Sequence, residues 1–150
     1  MPLQTLDTDF ATTGVKESLD TAKQSAYSSG KHIGASHFLL SLLEYNNGSL
    51  ANIIEPMGVD YKKLRAKAKK IQDREPSLTP GQPQSHTGEL SQAFDDMTTI
   101  MLEEKEHKAG IEIALAALAM GSGNVSKILK SDDITATRIM DAVHNVRTRQ

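Results

Sequence analysis

The stretch GSGNVSKIL, residues 121–129, sets two glycines and a lysine just ahead of an apolar run, the order found in loops that wrap a phosphate with backbone N–H groups. A P-loop needs GxxxxGK[ST], with the lysine directly after the last glycine so that its ammonium reaches the phosphates. Here Asn124, Val125 and Ser126 separate Gly123 from Lys127, and an apolar helical pattern precedes the loop instead of a strand. No nucleotide is expected there.

Five histidines raise metal or general-base chemistry. His32 and His37 are five residues apart, which turns them away from each other on a helix, and HExxH is missing. His37 heads a Leu-rich segment and is expected to make a structural hydrogen bond. His86 falls in a proline-rich stretch, His107 in a turn and His144 on the last helix. The acidic clusters Asp95-Asp96, Glu103-Glu104-Glu106 and Asp132-Asp133 read as solvated faces or helix caps, since no apolar setting is evident to lift a carboxyl pKa. Nothing resembles a Ser-His-Asp signature. The run KKLRAKAKK, Lys62 to Lys70, could meet phosphates, but Leu64, Ala66 and Ala68 interrupt it and no aromatic platform accompanies it. Lysines near a helix C-terminus also complement its dipole. The residues therefore predict no catalytic group, no metal, no cofactor and no nucleic-acid partner.

Composition agrees. With no cysteine among 150 residues, disulfides and thiolate chemistry are out of reach and a reducing cytosol is the default compartment. A net charge of -2 gives no general pull toward nucleic acid or an anionic membrane. The opening MPLQTLDTDF lacks the basic and long apolar regions of a signal peptide, and no run reaches the ~18 apolar residues of a membrane span.

Apolar residues three and four apart recur almost throughout, which predicts an all-α domain. Val15, Leu19, Ala22 and Ala26 mark a first helix, capped by Thr12 or Thr13 and ended at Gly30. Ser36 is expected to cap a second, whose Phe38, Leu39, Leu40, Leu42 and Leu43 are apolar around most of the circumference. Asn46 to Gly48 break it. A short helix from Leu50 to Glu55 stops near Pro56, and Asp60 caps a fourth carrying Tyr61, Leu64, Ala68 and Ile71. Residues 75–88, EPSLTPGQPQSHTG, hold three of the five prolines and predict a linker.

After that linker the pattern restarts. A shift of 75 positions, with no gap, places Val15 on Leu90, Leu19 on Phe94, Ala22 on Met97, Phe38 on Ile113, Gly48 on Gly123 and Leu64 on Ile139. Apolar falls on apolar and turn on turn, so the chain is expected to contain two copies, about 12–74 and 89–147, of roughly four helices each. Each is too small to bury its stripes alone. They are expected to share one core.

HIGASHFLLSLLEYNNGSLANIIEPMGVDYKKLRAKAKKI, residues 32–71, resembles the Clp N-terminal repeat: IxxxHLLLALL, a glycine-containing turn, a short apolar helix, then G-[IV] and a charged helix. EIALAALAMGSGNVSKILKSDDITATRIMDAVHNVR, residues 112–147, looks like the second repeat of ClpB-type disaggregases more than that of ClpA or ClpC. The resemblance implies a single compact domain of two pseudo-symmetric four-helix repeats, about eight helices, tethered in the family ahead of AAA+ rings that form hexamers. It implies partners among unfolded or aggregated protein segments, or adaptor proteins, with the AAA+ ring in the same polypeptide or in trans. It also implies a chaperone role in protein disaggregation and stress response, in a bacterial cytosol or an organelle derived from bacteria. The chain shows no Walker motif, so the implied module is non-catalytic; the isolated domain is separately expected to be monomeric. An alternative is a freestanding or ClpA/ClpC-like regulatory subunit that docks adaptors.

In ClpB-like domains unfolded segments contact a groove beside the first helix of the second repeat, near a threonine that opens the first helix. Thr12 matches that threonine by its spacing from Leu19, and the matching helix region is Phe94 to Met101. Along it Leu90, Phe94, Met97 and Met101 form the core stripe, while Ile100 stands outside the stripe's centre as a groove candidate. Ile113 begins the following helix. Asp96 and Glu112 occupy positions where the resemblance leads one to expect apolar groove residues, which implies either a weaker groove or one tuned to basic segments. In ClpC-type domains a glutamate just before the helix-2 histidine helps to receive phosphoarginine. Ser36 and Ile111 are read at those places, which predicts no such reception.

Overall fold

The protein is described by a computed structural model over residues 10–148, with side chains described through residue 145. The opening segment before Phe10 therefore lies outside the described residues. Eight α-helices are present among them: α1 (Thr13–Ser28), α2 (Ala35–Gly48), α3 (Ala51–Ile54), α4 (Tyr61–Gln72), α5 (Gly88–Glu103), α6 (Ile111–Met120), α7 (Asn124–Ser131) and α8 (Ala136–Thr148). A 3₁₀ turn, Glu55–Met57, extends α3. No strand forms among the described residues, only isolated bridges.

The core is centred on α2 and α6. Every residue from Ala35 to Leu43 is buried, and so is every residue from Ile113 to Ala119. Helices apolar all round must be enclosed by others. Accordingly α1 and α4 pack on α2, while α5 and α8 pack on α6. A single buried cluster then runs from Val15 and Leu42 in the first copy to Leu115 and Val143 in the second. Phe38 and Phe94 meet across it with ring centroids 6.0 Å apart.

Caps set the helix ends. Thr12 accepts the N–H of Val15 at 3.4 Å and Thr87 that of Leu90 at 3.3 Å, while Asp60 accepts from Lys62 and Lys63. The helical run of α2 stops at Glu44: Tyr45 turns extended, and Asn46 and Asn47 take φ of 52° and 58°, a left-handed region that asparagine tolerates. The expectation that Ser36 caps α2 is corrected. Gly34 is the N-cap, and Ser36 sits in the first turn, where its N–H and hydroxyl donate to Glu75 Oε2 at 3.3 and 2.7 Å. The cap comes from 39 residues away.

The ungapped register is corrected too. N-caps Thr12 and Thr87 differ by 75 positions, as do Asp60 and Thr135, where Thr135 accepts from the N–H of Arg138. Gly34 and Gly110, however, differ by 76, and the last helical residues Glu44 and Met120 differ by 76 as well. The turn before α6 is one residue longer than its counterpart, and three residues (121–123) lead from α6 into α7 where six (45–50) lead from the helical run of α2 into α3. Hydropathy alone hid this because the Leu- and Ala-rich segments tolerate a slip of one. The consequence is local but chemical: Glu112, not Ile111, stands opposite Ser36.

The stretch expected as a linker carries no helix from residue 75 to 87 and lies as a strap along residues 30–33. His32 N–H donates to Pro76 at 2.9 Å and Leu78 N–H to Gly30 at 2.8 Å. The Gln84 amide donates to the Lys31 carbonyl at 3.1 Å. Two parallel bridges then lace the copies reciprocally. Ala109 exchanges hydrogen bonds with Phe10 and Thr12 (2.7 and 3.0 Å), and Ile33 does the same with Ser85 and Thr87 (both 2.9 Å).

Candidate polypeptide-binding site

The loop that looked ready for a phosphate already holds an anion. Glu89, in the first turn of α5, reaches the N-terminus of α7 and accepts the Val125 N–H at 3.0 Å, with the N–H groups of Ser126 and Asn124 also directed at it. Burial pushes its carboxyl above the ordinary glutamate value; the backbone donors oppose that shift, and the charge of Glu75 adds to it. Gly123 permits the approach, since a Cβ there would lie 2.3 Å from the Glu89 carboxyl carbon. Gly34 admits Glu75 in the same way, with a Cβ position 1.6 Å from Oε2. A helix N-terminus attracts negative charge, and here the protein supplies its own. Sequence reasoning missed both glutamates, because Glu89 already has a local explanation in the first turn of α5 and Glu75 sat in the expected linker.

The histidines are structural in their surroundings. His37 Nδ1 accepts the Gly34 N–H at 3.0 Å, as its place at the head of α2 suggested. Its pKa is lowered, first by burial; nearby Glu75 opposes this and Lys31 adds to it. His32 accepts the Ser85 N–H at 3.1 Å, and His86 lies edge-on to Phe94 at 5.8 Å. His144 pairs with Glu104 at 2.9 Å. Among the described residues no three His, Asp or Glu side chains are grouped to hold a metal. The basic run of α4 is divided: Arg65 faces Glu44 at 3.4 Å, Lys67 reaches Asp132 at 2.8 Å, and Lys62, Lys63, Lys69 and Lys70 are exposed.

The residues proposed for a groove are distributed over three places. Thr12 and Glu112 come together at the junction of the copies, flanking Gly110: a Cβ there would lie 3.9 Å from Thr12 Cγ2 and 3.2 Å from Glu112 Oε2. Phe94, Met97 and Ile113 are core residues, at most 5% exposed. Asp96 and Ile100 lie along the outer edge of α5. The stripe assignment there is corrected, because Ile100 is buried at 4% while Met101 is only half-buried. Leu90, Phe94 and Met97 stay in the buried stripe of α5, which extends to Ala93 and Ile100 instead of Met101.

Two depressions follow that edge. The first, about 300 Å³, lies between α5 and the α6–α7 turn, with Glu89, Gln92 and Asp96 on one side and Ala117, Leu118 and Ser122 on the other. The second, about 400 Å³, lies between the end of α5 and α8; Ile100, Met120 and Met140 form its apolar part, and Glu103, Glu104 and Asp141 its charged part. Met120 is 43% exposed. A separate open trough of about 1040 Å³ separates α1 from the strap, where Tyr27, Leu78 and Pro83 are reachable. No helix among the described residues is long and apolar enough to cross a membrane.

The Glu112 register matters for the phosphoarginine expectation. The first copy has a hydroxyl at the position before His37, whereas the second copy has a carboxylate before Ile113, so the reading of Ile111 there is withdrawn.

Comparison with known proteins places this geometry. The family model for the Clp repeat (R) N-terminal domain matches residues 11–132. The chain is 28% identical over 145 residues to the chaperone protein ClpB of Mycobacterium tuberculosis (strain CDC 1551 / Oshkosh), and 29% identical over 143 residues to that of Corynebacterium glutamicum. These alignments cover 95% and 93% of this chain but 17% of either relative, so the chain spans about a sixth of their length. Among solved structures, the Hsp104 N-terminal domain from Candida albicans aligns with a TM-score of 0.75 at 14% identity, covering 95% of this chain and 94% of that one. The N-terminal domain of the ClpV1 ATPase from E. coli gives 0.70 at 16% identity, covering 88% and 82%. With both copies, their turns and their shared core accounted for, this chain belongs to the Clp repeat N-terminal domain family.

Proposed function

We propose that this chain is a non-catalytic module that engages polypeptides for a Clp-type AAA+ chaperone, in the manner of a ClpB-like disaggregase, by holding exposed apolar segments of misfolded proteins. Family membership over residues 11–132 supports this reading most. The surface suits it, since shallow depressions with a few apolar side chains beside charge give weak, sequence-tolerant binding. After the cost of association such a surface leaves affinities of about micromolar or poorer.

Titration of a labelled, permanently unfolded protein with the chain tests the proposal. Saturable binding that weakens in Met120→Asp is expected, and no binding at any accessible concentration overturns it. Met120 is the probe and not Ile100, because a charge at a residue only 4% exposed would break the fold before it reported on a groove. Adaptor docking is the second reading, favoured by the trough beside the 64% exposed Tyr27. A folded adaptor held there would be released by Tyr27→Ala and not by Met120→Asp.

A further inference from the structure

We infer that residues 84–86 are a proton-operated latch: with His32 and His86 neutral the segment is fastened to the body of the domain, and their protonation in mildly acid conditions frees it, uncovers the Phe94 ring and opens one wall of the trough beside α1. The inference goes beyond the proposed function and does not depend on it.

The two ends of the strap are held by different chemistry. At its start, Lys31 Nζ donates to the carbonyls of Asp73 and Glu75 at 3.2 and 2.9 Å, Leu78 N–H donates to Gly30, and the Glu75 carboxylate is engaged by Ser36. At its end the contacts run through two imidazoles. The Ser85 N–H donates to His32 Nδ1 at 3.1 Å, with the Ser85 hydroxyl 3.0 Å from the same nitrogen. A backbone N–H can only donate, so Nδ1 carries its lone pair and His32 is neutral. An imidazolium has no such acceptor. Charging this ring, which is only 8% exposed, sets two N–H groups against each other.

The next residue, His86, faces the body from the strap itself. It stands opposite Ile33 in a parallel bridge and lies edge-on to Phe94 at 5.8 Å. Burial, and then the nearby ammonium of Lys23, hold its pKa below the usual histidine value. Both imidazolium ions would thus form beside a cation, since Lys31 adjoins His32 in the chain. Of the carboxylates near this seam, Asp20 lines the trough on the Lys23 side and Glu75 is committed to Ser36. His37 stays outside the latch, because its Nδ1 accepts from Gly34 at the head of α2 and its charging acts on the whole fold. Between the two ends the turn closes on itself, Gln82 accepting from the N–H and hydroxyl of Thr79 at 3.1 and 2.8 Å, so the far end can leave while the near end stays. A group that is more easily charged when released than when docked draws the segment off as pH falls below 6.5.

Amide hydrogen exchange of the whole chain, corrected for the intrinsic rate at each pH, tests the latch. Between about pH 7.5 and about pH 5.5, protection of the Ile33 and Thr87 N–H groups, which bond across the seam, is expected to fall at least about tenfold further than that of Leu78 at the other end of the strap or of Leu42 in the core. The His86 ring resonances should titrate with the same midpoint. His32→Gln/His86→Phe keeps an acceptor for the Ser85 N–H and a ring on Phe94 but cannot be charged, and it should hold the protection of the seam constant relative to Leu78.

Protection that falls equally at Leu78 and at the seam, a His86 titration with no accompanying loss of protection, or a loss that persists in the double variant overturns the inference. So does a seam already unprotected at neutral pH. Should far-UV circular dichroism show the double variant unfolded, the agreement of midpoints in the wild type decides. Binding of unfolded protein at neutral pH is a separate measurement, so the failure of the latch and the failure of the proposed function are distinguishable.

Discussion

Glu89 and Val125, 36 residues apart, share a hydrogen bond of 3.0 Å that fastens the start of α5 to the start of α7. The same carboxylate is half-buried and holds its proton more tightly than an exposed glutamate does.

Two results follow for Glu89. Replacing it with alanine strips α7 of its cap and is expected to cost about 1–2 kcal/mol in urea unfolding. The pH dependence has a definite sign. A carboxyl whose folded pKa is raised above the unfolded value near 4.5 binds more protons in the folded state between those values, so its contribution is greatest below 4.5 and is lost as pH rises through the folded value. Wild type should therefore gain stability relative to Glu89→Gln as pH falls through that window. A difference independent of pH would contradict the assignment.

His37 titrates with the opposite dependence. Its folded pKa lies below 6.5, so its contribution is complete above 6.5 and declines as pH falls toward the folded value. His86, also lowered by burial and by Lys23, acts in the same direction. Unfolding measured between neutral and mildly acid pH should show this loss, reduced in His37→Gln, whose amide oxygen can still accept the Gly34 N–H.

Gly34→Ala is expected to destabilise by about 1–2 kcal/mol, because the new methyl displaces the Glu75 carboxylate and leaves the Ser36 donors without it. Once Glu75→Ala is present, the same change should cost much less. A double-mutant cycle measures that coupling, and strict additivity would refute the contact.

Leu42→Ala and Leu115→Ala, one in each copy and both fully buried, should each cost about 3 kcal/mol and lower the same transition. A shared core demands one cooperative unfolding event. Separate transitions, each shifted by only one of the variants, would disprove it in calorimetry.

The helices and their duplication were legible because the evidence for them is periodic: Val15, Ala22 and Ala26, or Leu90 and Met97, repeat at helical intervals and are buried as that spacing requires. Thr12 and Asp60 announced their caps through local chemistry. What escaped was set by distance. Glu75 capping α2 and Glu89 capping α7 are pairings across 39 and 36 residues, for which no spacing rule exists. The one-residue slip at α6 escaped because Leu115 and Leu118 fit either register, so only the backbone caps decide. The groove residues were the least legible. Ile100 and Met101 are adjacent on one helix, and which of them faces inward depends on where α6 and α8 lie.

The crossed bridges at Ala109 and Ile33 mean that each half holds the other's leading segment. A solitary half would leave those backbone groups to water, and trading segments with an identical molecule would restore their protein partners. The chain therefore encloses, in one polypeptide, the two-fold exchange that a pair of separate subunits would otherwise have to assemble.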